Sequence, residues 1–231
     1  MATNKDIIIN ELQAAGITNK YSVAAILAII DKESGFKPQT EISYANTSNA
    51  KIKSIFEDRT KNLTDAVLND LKKDPIKFFN FVYGGKYGNS ITEGYLYRGR
   101  GFNQLTYKGN YKVYSEVLKL NLVDNPDLVN DPKIAAKVVA AYFIRNFKKN
   151  ATIVKNRYGA KNINDFTDAN TAVNAFYNAN AGFGKDTSKA ITKGKTKALK
   201  KVSSFLTAEK GIIISLPIIL IGALLFYYLK K

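Results

Sequence analysis

An apolar helix that ends in a carboxylate constrains the fold of this chain more strongly than any other stretch of the sequence. Within residues 22–33 the apolar side chains recur at helical spacing and form one wide face, composed of Val23, Ala24, Ala25, Ile26, Leu27, Ile29 and Ile30. Ser22 is a suitable N-cap for this helix. Gly35 and Pro38 then favour an end of the helix just after Glu33. The pattern predicts a helix whose last turn carries Glu33.

This helix and the loop after it supply two carboxylates, and the surroundings of the two differ. Glu33 lies near the negative end of the helix dipole and close to Phe36, and both neighbours favour the protonated carboxyl that a proton donor needs. Glu41 stands eight residues later in a polar loop, where we expect an ionised carboxylate. An acid and a base of this kind are typical of glycoside hydrolysis. A pair of solvated surface glutamates is the structural alternative.

The same helical periodicity returns along most of the chain. It predicts further helices over 6–15, 48–56, 113–118, 134–147 and 168–178, with helix starts at Thr64, at Asp74 and at Asp131. A small hairpin is predicted near 97–105. Because we find no repeat and no alternation of strands with helices, we expect a mainly α fold.

Two absent residue types narrow the chemistry that is open to the chain. Its 231 residues include no cysteine and no histidine. Disulfides, thiolate catalysis and the Ser/His/Asp and Cys/His arrangements are therefore excluded, and the commonest metal ligand is missing. An enzyme of this composition must move protons with carboxylates, lysines or tyrosines. We expect neither a metal nor a cofactor.

The formal charge of +16 predicts an anionic partner, unless it reflects compositional drift toward lysine. Nucleic acid, anionic lipid and an anionic wall polymer are the candidates. No RNA-binding aromatic motif, zinc finger or helix-turn-helix pattern is present in the sequence, so no nucleic acid partner is expected. The eight lysines of residues 185–210 indicate a solvated connector, with anionic lipid or a wall polymer as its candidate contact.

Residues 211–229 form an uncharged run that predicts one transmembrane helix. At about 1.5 Å per residue this run spans about 28 Å, close to the ~30 Å hydrocarbon core of a bilayer. Tyr227 and Tyr228 stand where interfacial aromatic residues belong, and two lysines follow them. We therefore expect a single-pass membrane protein with a C-terminal anchor.

One short stretch combines glycine, arginine, amide and aromatic residues, since residues 97–111 read YRGRGFNQLTYKGNY. Glycine lets the backbone approach a ligand, amides and hydroxyls bond to ring substituents, and aromatic faces stack on sugar rings. This mixture favours a carbohydrate site, and its candidate residues are Tyr97, Arg98, Gln104, Thr106, Tyr107, Asn110 and Tyr111. A glycine-rich surface turn and a phosphate site at Arg98 and Arg100 are the alternatives.

This stretch resembles the signature of the glycoside hydrolase family 19 chitinases and of their phage endolysin relatives, which is close to YxGRGxxQLTxxxNY. Residues 78–89 resemble the loop that precedes the signature in endolysins. Residues 26–36 resemble the segment around the family's acid glutamate, which more often reads HESGGF, whereas Asp31 and Lys32 precede Glu33 here and one glycine is missing. The resemblance covers about 21–184. It implies a bilobed, lysozyme-like domain over 1–184, before the connector at 185–210 and the transmembrane helix at 211–229.

The resemblance also implies a role for each matching residue. Glu33 matches the general acid, and Glu41 matches the base of the short-loop endolysin branch. Thr106 takes the position of a hydroxyl that helps to hold the nucleophilic water. Substrate-binding amides are implied at Gln104, at Asn110 and, in a late motif, at Asn178 or Asn180.

The implied function is inverting hydrolysis of the β-1,4 glycan strands of peptidoglycan by a lytic enzyme of a bacteriophage. Inversion needs about 6.5–9.5 Å between the two carboxyls, which leaves room for a water molecule. Because no signal-peptide pattern begins the sequence, we expect the anchored enzyme in a virion internal membrane, or else in the host inner membrane. A lytic transglycosylase that uses Glu33 alone, a non-enzymatic wall-binding protein and, less readily, a chitinase are the alternatives.

Overall fold

The computed structural model describes residues 2–181 and 189–208. In these ranges the chain forms eleven α-helices, one 3₁₀-helix and no β-strand, which confirms the mainly α prediction. Where a hairpin is predicted, Arg100 and Leu105 form an isolated antiparallel bridge. The elements are α1 Asn4–Ala14, α2 Lys20–Ser34, α3 Asn49–Ile55, α4 Glu57–Thr60, α5 Asp65–Leu71, α6 Pro75–Tyr83, α7 Lys108–Leu118, the 3₁₀-helix Pro126–Asn130, α8 Pro132–Lys149, α9 Ala151–Tyr158, α10 Ala169–Asn180 and α11 Lys189–Ala208.

Side-chain caps begin several helices at the predicted positions. Backbone N–H groups of the first turn donate to the capping side chains of α5, α6, α8 and α10, which are Thr64, Asp74, Asp131 and Asp168. At the other end of α2, Gly35 adopts φ 57°, a left-handed conformation that glycine reaches without strain. Local signals therefore account for these helix ends.

The start of α2 differs from the prediction. Asn19, and not Ser22, is the N-cap, because Asn19 Oδ1 accepts hydrogen bonds from the N–H groups of Tyr21 and Ser22 at 3.0 and 3.1 Å. Ser22 is buried inside the helix, and its hydroxyl donates to the carbonyl oxygen of Ile163 at 2.6 Å. Both residues are good caps, and the tertiary contact of Ser22 decides between them.

Helix α2 lies at the centre of the largest hydrophobic core. Every residue from Val23 to Ile30 is buried, and α2 packs against α10 and α11 while α1 packs against α8. A helix that is apolar on all sides must be enclosed by other elements. The surrounding helices supply further buried side chains, among them Ile8, Leu12, Ala136, Val139, Phe143, Phe147, Val173 and Phe176. This packing fixes the position of α2 and of Glu33 at its end.

Two smaller apolar cores are separate from this one. Helices α3 to α6 enclose Ile52, Phe56, Leu68, Phe78, Phe79 and Val82. A third cluster joins α7, the 3₁₀-helix and α8 through Tyr97, Leu105, Tyr111, Tyr114, Leu122, Val129 and Val138. The motif at 97–111 belongs to the third cluster, yet it also inserts Phe102 into the largest core. This double attachment holds the motif in place.

The lysine-rich stretch predicted as a solvated connector is a packed helix over most of its length. Helix α11 lies against α2, and Ala198 and Val202 are buried in the largest core. An ion pair joins Lys201 to Asp31, and the rings of Phe205 and Phe36 meet edge to face at 6.3 Å. Apolar residues at 198, 202 and 205 share one helix face, which explains why this stretch packs despite its charge.

The predicted single-pass membrane localisation has to be corrected. Within residues 2–181 and 189–208, no helix is both long enough and apolar enough to cross a membrane. The run at 211–229, on which that prediction was based, lies outside the described residues.

Candidate functional site

Glu33 opens onto a cleft of about 350 Å³ that it shares with part of the carbohydrate motif. Gln104, Thr106 and Asn110 line the same cleft, although they come from a loop far away in the sequence. The remaining lining residues are Asn103, Leu105, Tyr107, Tyr114, Tyr142, Arg145, Asn146 and Asn180. The structure thus brings the predicted acid together with three predicted ligand-binding side chains.

Glu33 is a partly exposed side chain in the last turn of α2. Its side chain is 35% exposed, and its carboxylate lies 3.2 Å from the ammonium group of Lys32. Across the cleft, burial raises the pKa of the Tyr142 hydroxyl, and the charge of Glu33 adds a smaller increase. This hydroxyl therefore keeps its proton, which it donates to the carbonyl oxygen of Asn180 at 3.1 Å.

The motif loop carries its ligand-binding side chains on a strained backbone. Gln104 and Tyr107 have φ values of 52° and 74°, in the left-handed region that residues other than glycine rarely adopt. Strain of this kind is typical of functional sites, where the surrounding structure enforces it. Here the amide of Gln104 donates to the carbonyl oxygens of Gln39 and Gly101 at 2.9 and 3.1 Å.

The two other polar side chains of the motif also bond to its own backbone. The hydroxyl of Thr106 donates to the carbonyl oxygen of Gln104 at 2.9 Å, and the amide of Asn110 donates to that of Thr106 at 2.8 Å. Their oxygens still have acceptor capacity toward the cleft. The loop therefore presents three acceptors in fixed positions.

Glu41 is held by its neighbours much more tightly than Glu33. Its carboxylate accepts hydrogen bonds from three donors, which are the hydroxyls of Tyr44 at 2.8 Å and Tyr83 at 3.0 Å and the backbone N–H of Gly99 at 3.2 Å. Burial raises the pKa of both tyrosine hydroxyls, and the charge of Glu41 raises them further. Both hydroxyls thus remain donors, and the carboxylate is fixed in one orientation.

Glu41 is not among the residues that line the cleft of Glu33, and Gly99 lies between its carboxylate and the side chain of Gln104. A Cβ atom at position 99 would lie 2.8 Å from Oε1 of Gln104 and 3.3 Å from Oε2 of Glu41. The backbone of Gly99 is therefore wedged between a residue that lines the cleft and the second carboxylate. In addition, the N–H of Glu41 donates to the carbonyl oxygen of Gly99 at 2.7 Å. A larger residue at position 99 would require the side chain of Gln104 to move.

The prediction that Tyr97 and Tyr111 bind substrate has to be corrected. Tyr97 and Tyr111 are 3% and 0% exposed, and their ring centroids lie 5.4 Å apart in the third core. Their hydroxyls donate to the carbonyl oxygens of Val123 and Arg98. Neither ring has a face open to a sugar. Both residues instead stabilise the motif by packing in the third core.

The arginines of the motif bond to the protein itself. Arg98 Nε donates to the carbonyl oxygen of Glu41 at 3.2 Å, and its guanidinium lies 3.8 Å from the ring centroid of Tyr95. Arg100 is 2% exposed and pairs with Asp127 at 2.7 Å. Arg98 therefore fixes the loop of Glu41, and its predicted role in substrate binding is corrected. The alternative of a phosphate site at these two arginines is also removed.

Of the two candidate asparagines in the late motif, Asn178 and Asn180, the structure brings Asn180 to the cleft of Glu33. Asn178 is buried, donates to the hydroxyl of Tyr158 and accepts from Lys195 at 3.4 Å. Asn180, two residues later, lines the cleft of Glu33. The structure therefore contradicts the predicted substrate contact of Asn178, and Asn180 is the member of the motif that reaches the cleft.

Sequence reasoning missed the contribution of α8 to the cleft. Tyr142, Arg145 and Asn146 lie on one edge of this helix, and all three line the cleft. The signal that could have found them is their spacing of three and four residues, which places the three polar groups on one side of α8.

Comparisons with known proteins point to chitinases. No family model matches the chain. A stretch of 64 residues is 47% identical to Chitinase 11 of Oryza sativa subsp. japonica, and it covers 27% of this chain and 25% of the rice protein. The chain thus spans about a quarter of the length of the curated relative that it matches.

Two solved structures were also found. A mutant of chitinase C is 20% identical, with a TM-score of 0.44, over 86% of this chain and 75% of the other. Chitinase C from Streptomyces griseus is 21% identical, with a TM-score of 0.41, over 86% of this chain and 62% of the other. At these scores no detail of the fold is transferred from either structure.

Proposed function

We propose that this chain is a glycoside hydrolase that cuts the β-1,4 glycan strands of peptidoglycan by acid/base catalysis with inversion. One observation carries the proposal, namely the cleft in which Glu33 meets Gln104, Thr106 and Asn110. The match to a rice chitinase supports a glycosidase that acts on a glycan polymer. The bilobed, lysozyme-like arrangement and the lytic role in a bacteriophage are parts of the same proposal and are supported by the sequence motifs.

In this mechanism Glu33 protonates the leaving oxygen, and Glu41 takes a proton from the attacking water. A carboxylate accepts about four hydrogen bonds, and Glu41 has three donors around it, one of which, the Tyr83 hydroxyl, lies 3.0 and 3.1 Å from the two carboxylate oxygens. The attacking water would take the acceptor position that becomes free when the Tyr83 hydroxyl bonds to one oxygen alone. The hydroxyl of Thr106 donates to the backbone and is left to accept from that water.

The choice of peptidoglycan over chitin is supported by charge. Arg145 faces the cleft, and within the described parts of the chain no carboxylate forms an ion pair with it. Peptidoglycan carries carboxylates on the peptides attached to its strands, whereas chitin is neutral. The formal charge of +16 favours the anionic polymer in the same way.

The test measures clearing of purified peptidoglycan by the full chain beside Glu33→Gln and Glu41→Gln, with mass spectrometry of the released fragments. Hydrated reducing ends released by the wild type alone are expected, and proton NMR should show inversion at the new end. Loss of activity in Glu33→Gln only, with 1,6-anhydro ends from the wild type, would instead establish a transglycosylase. Binding to walls without fragment release would leave a structural wall-binding protein.

A further inference from the structure

A second pocket, of about 510 Å³, lies next to the cleft and has no role in the mechanism above. Tyr107 lines both cavities and therefore stands at their junction. The other lining residues are Ile55, Phe56, Asp58, Val82, Tyr83, Lys86 and Tyr87. Since Tyr83 also donates to Glu41, the second pocket lies on the side of the second carboxylate.

Two tyrosines at the mouth of this pocket form an aromatic surface on a strained backbone. The ring centroids of Tyr87 and Tyr107 are 4.7 Å apart, with 63° between the ring planes. Both residues have positive φ, 44° for Tyr87 and 74° for Tyr107. Bulky side chains avoid this region, so the chain maintains both rings at a cost in conformational energy.

Close contacts between backbones hold the two rings in place. The N–H of Gly109 donates to the carbonyl oxygen of Tyr87 at 3.0 Å, and a Cβ at position 109 would lie 2.7 Å from that oxygen. Asn89 is buried, accepts from the N–H of Lys108 at 2.8 Å and donates to the carbonyl oxygen of Tyr83 at 3.0 Å. These contacts therefore fix the backbone that carries the two rings.

The chemistry of the pocket fits a sugar ring. Tyr87 is 74% exposed and Ile55 is 45% exposed, so apolar surface faces water here without contributing to a core. An ion pair between Asp58 and Lys86 lies at the same opening. Aromatic faces that accept the C–H side of a ring, beside charged groups that bond to its hydroxyls, are typical of a small polar ligand site.

We propose that Tyr87 and Tyr107 form an outer sugar-binding site, which holds the glycan strand where it leaves the cleft on the side of Glu41. The inference rests on the proposed function, because its ligand is the same strand continued past Tyr107. It adds a place where substrate length is sensed, since a short fragment fills the cleft alone and a longer one also contacts this aromatic surface.

The absence of tryptophan from the chain allows a direct test. We would introduce Tyr87→Trp into the full-length Glu33→Gln chain, so that one indole reports on the site, and titrate with β-1,4 N-acetylglucosamine oligomers of increasing length. Emission should change in a saturable way with long oligomers and not with the monosaccharide. The matched control is Val117→Trp, an equally single reporter at an exposed position of α7, whose emission should stay constant.

A kinetic test separates this site from the hydrolytic reaction. In the active chain Tyr87→Ala should raise KM for long strands about tenfold, the scale of one aromatic contact, with kcat changed much less. A wild type that hydrolyses strands while the Tyr87→Trp emission stays flat would overturn the outer site and leave the hydrolase. A saturable emission change in a chain whose wild type releases nothing would keep the sugar site and overturn the hydrolase.

Discussion

Glu33 and Glu41 are the same residue type, eight positions apart, in opposite surroundings. Glu33 extends from the last turn of a buried helix into a cleft, more than a third exposed, with one lysine ammonium beside it. Glu41 lies in a loop, where three donors fix its carboxylate. The difference fits the two roles of the proposed mechanism, in which the proton donor has to approach its substrate and the base has to hold a water molecule in one place. We test this contrast from the largest expected effect to the smallest.

Replacing each carboxylate in turn should separate catalysis from stability. Both Glu33→Gln and Glu41→Gln should lower kcat by about 10²- to 10⁴-fold, the usual contribution of general acid/base catalysis. In Glu41→Gln the new NH₂ group would face the hydroxyl and N–H donors that bond to the carboxylate of the wild type. The free energy of unfolding should therefore fall by about 1–3 kcal/mol. Glu33→Gln should leave it within about 0.5 kcal/mol, because that side chain is partly solvated.

Urea unfolding followed by circular dichroism measures this difference, beside release of reducing ends for activity. Equal destabilisation by the two substitutions would contradict the contrast between the two sites.

Gly99→Ala should disturb the contact between Glu41 and Gln104 without replacing either carboxylate. The added methyl group would lie 2.8 Å from Oε1 of Gln104, so the amide or the loop must move. Because misplacement by about 1 Å costs up to about 10²-fold in rate, we expect kcat to fall about 10- to 100-fold. The measurement is steady-state hydrolysis of peptidoglycan fragments. Gly159→Ala is the control for destabilisation alone, because its methyl group meets no atom within 4 Å but its φ of 68° strains an alanine, so stability should fall while the folded variant retains full activity.

Tyr44→Phe should remove one donor from Glu41 while keeping the aromatic ring. Tyr44 packs against Phe56, Phe78 and Phe79, and these contacts are retained in the variant. We expect a loss of about 1.5 kcal/mol in unfolding free energy, the scale of a hydrogen bond to a charged group, and a decrease of a few fold in kcat. Thermal unfolding and initial rates measure the two effects. A variant as stable and as active as the wild type would show that two donors are enough to hold the base.

Arg145→Gln should alter substrate choice on the side of Glu33. We expect KM for peptidoglycan to rise about threefold to fivefold, on the scale of a partly exposed ion pair, while KM for neutral N-acetylglucosamine oligomers stays unchanged. Raising the salt concentration should reduce the difference between wild type and variant. An equal change for both substrates would assign Arg145 a role unrelated to charge.

The part of the fold that depends on local signals was predictable. The caps at Asp74, Asp131 and Asp168 follow from a short polar side chain before an apolar repeat. The packing of α11 was not predictable from its composition, because its burial depends on the partner helix α2. Helix ends are properties of a few neighbouring residues, whereas burial is a property of the whole chain.

The candidate site shows the same division. Gln104 and Thr106 were predicted from their motif, and the structure brings both to the cleft of Glu33. Which tyrosines have an open ring was not predictable, since Tyr111 and Tyr87 have the same chemistry but are 0% and 74% exposed. The entry of Arg145 into the cleft depends on the packing of α8 and could not be inferred from the motif around Glu33.

The packing of α11 on α2 has a consequence for the order of events during synthesis. Residues of α2 emerge from the ribosome early, yet their apolar surface is completed by Ala198 and Val202, which are made near the end of the described chain. Long sequence separation between contacting residues delays folding. The hydrophobic core that supports Glu33 is therefore complete only after residue 202 has been translated. A nascent chain thus contains Glu33 well before it can fold into a stable enzyme.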